Sequence, residues 1–215
     1  MTNLTSYLRL LSATLISLTL FLAHADAAIN ASFTGPIASP DILTDLSPLP
    51  ATDTLPAPAM GQADGVNLSQ IDSSSSISTN FLLGQPGRSW FPNGGDNGYT
   101  EISLTSGEDF DAISFYLGAG GLVNFLGYQV LDDGASLVNS TISWSGSGWY
   151  TIQGDSGEIF DEVRLLASVT NSVIGSGATN ALAVVQVAVS VVPEPSTAGL
   201  FVGIGALAFV GARRK

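Results

Sequence analysis

The chain has 215 residues, among them 24 Gly, 10 Pro and no Cys, and carries a formal net charge of −12. That length suits one modest domain with targeting segments rather than two enzyme domains. The lack of Cys excludes a disulfide framework, a thiol nucleophile and a cysteine-ligated zinc site. The acidic balance argues against nucleic acid as a partner.

The chain opens with one cation, Arg9, followed by a run from Leu10 to Ala23 that is apolar apart from Ser and Thr, and then Ala23-His24-Ala25. A positive start, a short apolar stretch and a small-x-small end describe a secretory signal peptide. Residues 1–27 are assigned to it, with signal peptidase as the first partner and cleavage expected after Ala25 or Ala27.

Residues 28–80 read as a Pro/Ser-rich lead-in. Ser47-Pro48-Leu49-Pro50 and Leu55-Pro56-Ala57-Pro58 suit an extended, polyproline-like chain, and Ser73 to Ser76 is a polar run. A loosely ordered segment with one or two early strands is expected.

Residues 81–192 read as the body. Ala112 to Leu117 alternates, placing Ile113, Phe115 and Leu117 on one face. Phe125 to Leu131 ends at Asp132-Asp133-Gly134, a hairpin turn signal. Leu137 to Trp144, Trp149 to Ile152 and Val163 to Ala167 are further short strands between Gly-rich turns. Ala181 to Val192 is β-branched and almost uncharged, as a buried strand would be. No segment sustains a helical period. The expected fold is all-β, an antiparallel sandwich of the eight-stranded jelly-roll type.

Between the two ends, Ala28 to Val192 retains 16 acids against Arg88 and Arg164, a formal charge of −14, with no Lys, His or Cys. Ser-His-Asp and Cys-His catalysis, a Schiff-base lysine and His- or Cys-ligated metals are therefore excluded from the body. No cofactor is expected. Carboxylate chemistry, oxygen-only cation binding and contact surfaces remain.

Residues 193–215 start with Pro193-Glu194-Pro195, continue through fifteen uncharged apolar residues, Ala198 to Ala212, and finish with Arg213-Arg214-Lys215. As a helix the fifteen reach about 22 Å at 1.5 Å per residue, short for a hydrocarbon core of about 30 Å. Ser196, Thr197 and snorkelling arginines extend the reach, and the basic end stays cytoplasmic. The two prolines keep the entry extended and stop the helix from running upstream. A permanent anchor is the plain alternative to a processed one.

This arrangement resembles the PEP-CTERM sorting signal of bacterial exosortase substrates. The resemblance covers Val192 to Lys215, with Pro193, Glu194, Pro195, Arg213 and Arg214 on the family's pattern. It implies an exosortase-like membrane processing enzyme as partner. It also implies a protein tethered to the inner membrane before processing and then held at the cell surface or outside the cell. The stretch from about Asp109 to Val189 is similar to the jelly-roll body common in such proteins: Phe110 to Leu117 resembles its opening strand, and Gly148-Trp149 and Phe160 to Leu165 resemble later ones. Related jelly rolls often carry an acid in the final strand; Ala181 to Gln186 has none, which leaves an inherited calcium site unsupported.

Three candidate chemistries can be placed on residues. Exposed aromatic faces suit sugar rings, which puts Trp90, Tyr99, Trp149 and Tyr150 forward as a carbohydrate platform, with Trp90 first and Trp144 assigned to the core. A carboxylate-only glycosidase would use a pair of acids such as Glu101 and Glu162. Calcium would need oxygen clusters such as Asp96-Asn97 or Glu108-Asp109 with Asp111, neither of which has a loop-type ligand spacing. No metal site is assigned. The expected function is non-enzymatic: a secreted structural or adhesive protein of the cell envelope or matrix. Its exopolysaccharide or biofilm setting is implied by the resemblance alone. A carbohydrate-binding module is the alternative.

Overall fold

The computed structural model describes residues 28–52, 55, 59–71, 77–79, 87–92, 95–96, 98–155, 157–176, 178–179 and 182–192. All regular elements among them are strands: β1 (Ile29–Phe33), β2 (Ile42–Thr44), β3 (Ala59–Ala63), β4 (Val66–Ile71), β5 (Ile77–Ser78), β6 (Phe91–Pro92), β7 (Gly95–Asp96), β8 (Tyr99–Leu104), β9 (Phe110–Ala119), β10 (Phe125–Asp132), β11 (Ala135–Ser143), β12 (Gly148–Gly154), β13 (Glu162–Ser168), β14 (Ala178–Thr179) and β15 (Leu182–Val191). The expected signal peptide and the apolar run before the basic end lie outside the described residues. No helix among the described residues is long and apolar enough to cross a membrane.

Two antiparallel sheets make a sandwich. One has the order β1-β12-β9-β15-β2 and the other β11-β10-β13-β8-β4-β3; β14-β7 and β5-β6 are two-stranded ribbons. Eight strands have jelly-roll order: β2-β15-β9-β12 in one layer and β8-β13-β10-β11 in the other. Within that set the chain changes layer at every step except the β10–β11 hairpin. The expected jelly roll is present, widened by β1 on one layer and by β4 and β3 on the other.

Period-2 patterning explains why these segments become strands. In β4 and β8, buried positions alternate with half-buried ones along the whole strand. In β9, Ile113, Phe115 and Leu117 enter the core as their spacing requires. They meet Val184, Val187 and Val189 of β15 and, from the opposite layer, Leu126, Val130, Val163 and Leu165. The β10–β11 hairpin turns at Asp133 and Gly134, both with positive φ (49° and 75°), a twist-compatible pair that suits Asp-Gly.

The described residues among 28–71 hold more strands than the one or two expected. They supply four strands to the sandwich, among them β2, one of the eight. Their sequence hides this because three of the four, β1, β2 and β3, are edge strands. Such strands bury less, so composition rather than alternation dominates their appearance.

Candidate functional site

The outer face of the five-stranded sheet carries the most site-like arrangement. Its elements are placed by register: Trp149 opposes Tyr116, Thr151 opposes Ser114, and Gln153 opposes Ala112. Across β15, Gln186 opposes Tyr116, Ala188 opposes Ser114, and Ser190 opposes Ala112. These positions alternate with the core residues of the same strands and so point outward.

β1 and β2 occupy opposite edges of this sheet, and the eight residues between Phe33 and Ile42 join them across the outer face. This strap is held at its middle. The Ile37 N–H donates to Ser114 Oγ at 3.2 Å, Thr151 Oγ1 donates to Gly35 O at 3.2 Å, and Ser114 and Thr151 share a 2.7 Å hydrogen bond. Ala112, Ser114 and Ala188 are buried on the outer side because the strap covers them. The face is thus split into an aromatic row, Trp149–Tyr116–Gln186, and a polar row containing Gln153 and Ser190. In the aromatic row both rings are half-buried and meet edge to face, with centroids 5.8 Å apart and planes at 87°.

The four candidate platform residues do not come together. Trp149 joins the outer face. Tyr99 lies on the other sheet beneath Arg164, whose guanidinium carbon is 5.2 Å from the ring centroid. Trp90 is fully buried, which corrects its placement as an exposed platform. Its backbone pairs with Val184 through two hydrogen bonds of 2.7 and 2.9 Å, which draws the indole into the core. Tyr150 is also a core residue: its hydroxyl accepts from Ser145 N–H and donates to Gly146 O, both at 2.9 Å. Trp144, expected inside, is only partly buried and stacks on Tyr150 at 5.1 Å. Tyr116 was missed as a partner of Trp149. The signal was available, because Tyr116 falls on the opposite parity to Ile113, Phe115 and Leu117.

Glu101 and Glu162 do converge, but around a cation. Arg164 Nε is 3.2 Å from Glu101 Oε2 and 2.6 Å from Glu162 Oε1. Burial raises the Glu162 carboxyl above its ordinary range, the nearby Glu101 charge adds to this, and Arg164 opposes it. An arginine lies where a substrate would have to go, so the arrangement serves as a cross-strand ion cluster.

Other acids crowd one end of the sandwich. Burial raises Asp132, reinforced by Asp109, Asp133, Asp161 and Glu158. Burial likewise raises Asp161. Among the described residues no three His, Cys, Asp or Glu side chains form a metal-holding group. The side chain of Asp96, and Asn97, lie outside the described residues, as do Pro193, Glu194, Pro195, Arg213 and Arg214.

Among solved structures, the chain is similar to a family 32 carbohydrate-binding module of C. perfringens NanJ in complex with galactose, at 13% identity and TM-score 0.37, covering 56% of this chain and 93% of that one. It is similar to a mutant of the family 29 module CBM29-2, at 15% identity and TM-score 0.39, covering 79% and 99%. It is also similar to the low-affinity xylan-binding module CBM86 from Roseburia intestinalis, at 16% identity and TM-score 0.33, covering 59% and 96%. No curated protein matches the chain in sequence. The PEP-CTERM protein-sorting motif matches residues 191–215, so its first residue is also the last residue of β15. The chain is a β-sandwich that carries, directly after its final central strand, the PEP-CTERM motif for extracytoplasmic sorting.

Proposed function

We propose that this is a secreted, exosortase-processed structural or adhesive protein of the cell envelope or extracellular matrix, and that its sandwich contacts neutral exopolysaccharide through the outer face of the five-stranded sheet. The sorting motif at residues 191–215 carries the first half of this reading. The second half rests on the Trp149–Tyr116 pair, two half-buried rings on an outward face. Aromatic rings offer rigid apolar area to a sugar at little conformational cost. A formal body charge of −14 disfavours an acidic polymer.

Two measurements in the native host test it. Glu194→Ala, or removal of Arg213 to Lys215, leaves a larger, membrane-retained protein on immunoblots of fractionated cells; unchanged processing in both variants sinks the sorting reading. Trp149→Ala lowers co-sedimentation of the secreted protein with neutral host polysaccharide by about tenfold. Undiminished co-sedimentation by a folded Trp149→Ala protein refutes the contact face.

A further inference from the structure

On the other side of the strap from the aromatic row lies a cavity of about 350 Å³. Its roof is the strap, Thr34 to Ala38, and its floor and walls include Asp111, Thr151, Gln153 and Ser190. We infer that this cavity is a separate binding site for one ring of a neutral, hydroxyl-rich ligand, a sugar or comparable cyclic polyol, recognised by the Asp111 carboxylate. The inference rests on the glycan-contact reading for its ligand class and goes beyond it in place and residues.

Four observations converge. The volume lies at the lower end of the range for small-molecule sites, which admits one ring rather than a chain. Asp111 Oδ1 is shielded from solvent and has no hydrogen-bond donor. A shielded carboxylate oxygen without a donor is costly, and a ligand hydroxyl supplies that donor. Asp111 reaches this position because the ladder slips there: Ser190 opposes Ala112 and Val191 opposes Phe110, which leaves Asp111 as an extra residue on β9. Bulges of this kind re-aim side chains. Finally, the lining holds an amide and hydroxyls besides the carboxylate but no cation. An anion is therefore repelled, and a lone carboxylate falls well short of the six to eight oxygens calcium takes.

The roof is preorganised, since Gly35 O and Ile37 N–H are already tied to Thr151 and Ser114. Binding then needs little loop ordering.

The test is ligand-observed NMR and calorimetry on the secreted protein with glucose, galactose, mannose and xylose, and separately with Ca²⁺ alone. At least one sugar binds with a dissociation constant of about 1 mM. Asp111→Asn weakens it at least tenfold, and the exposed Gln153→Ala, which leaves the fold intact, weakens it several-fold. Absence of binding by all four sugars overturns the inference, as does undiminished binding by a folded Gln153→Ala protein, or Ca²⁺ binding abolished by Asp111→Asn. Polysaccharide retention lost only on Trp149→Ala, with no monosaccharide bound, sinks the cavity site and leaves the proposed contact face standing. Loss of every glycan interaction sinks both.

Discussion

The Asp41 carboxylate accepts a hydrogen bond from the Val191 backbone N–H at 2.9 Å, and the Asp41 N–H donates to Val189 O at the same distance. One residue later, the Val192 N–H donates to Asp109 O at 2.9 Å. The sandwich thus holds the chain up to the residue before Pro193. Neither Pro193 nor Pro195 has an N–H with which to prolong a ladder. Asp41→Ala removes the acceptor for Val191 and costs about 1 kcal/mol. It also speeds amide exchange at Val191 by more than exchange at Val187 in mid-strand. Asp41→Asn keeps an acceptor and restores most of the protection. Equal exchange at Val191 in all three proteins shows that the side chain does not hold the strand end.

Trp90 tests whether the core reading is right. Truncation to Ala empties the largest fully buried side chain and lowers stability by about 3–5 kcal/mol in chemical denaturation. Its neighbour is equally tight: a Cβ on Gly61 would stand 2.7 Å from Leu49 Cδ2 and 2.9 Å from Trp90 Cζ3. Gly61→Ala therefore destabilises by about 1–3 kcal/mol through overpacking. A stability close to wild type for both variants contradicts the packing.

Stability should rise on mild acidification. Asp132, Asp161 and Glu162 are all raised, chiefly by burial and then by neighbouring carboxylates. A raised carboxyl favours folding fully below its unfolded value and loses that contribution as pH climbs through the folded one. Asp45 runs the other way, lowered by hydrogen bonds from Ser47, so its contribution is lost only below the ordinary value of 3.8. As pH falls from 7 toward the ordinary carboxylate range the raised groups dominate, and self-repulsion of the acidic body falls as well. Thermal melts at constant ionic strength should show Tm increasing over that interval, and less steeply in high salt. A Tm that drops on acidification over that interval rejects the account.

Tyr150 ties the turn after β11 to the core through its hydroxyl. Tyr150→Phe preserves the stacking on Trp144 and removes both hydrogen bonds, at a cost of about 1–2 kcal/mol. Near-UV circular dichroism reports whether Trp144 keeps its setting. If stability is unchanged, the Ser145 N–H and Gly146 carbonyl are satisfied without it.

Much of the architecture could be read before any coordinates. Ile113, Phe115 and Leu117 declare their face by spacing, and Asp133-Gly134 declares its hairpin through the positive φ it demands. Where aromatic side chains go was far less legible. Trp90 reads as a loop residue beside Gly- and Pro-rich sequence, and only its pairing with Val184 brings it inside. Tyr150 and Trp149 are adjacent and chemically alike. Strand parity sends one to each face, but parity alone does not say which face is the core.

By itself, the amino-acid sequence determined the chemical vocabulary: no thiol, no body imidazole or lysine, short alternating strands, and a terminal sorting motif whose meaning is local in sequence. These properties need no partner from elsewhere in the chain. Only the tertiary structure decided what depends on strand order. It set Tyr116 beside Trp149, closed Arg164 between Glu101 and Glu162, and drew the strap over the sheet that holds Asp111. Each of these juxtapositions brings in at least one residue more than thirty positions away. They come from sheet pairing and burial, which no local pattern encodes.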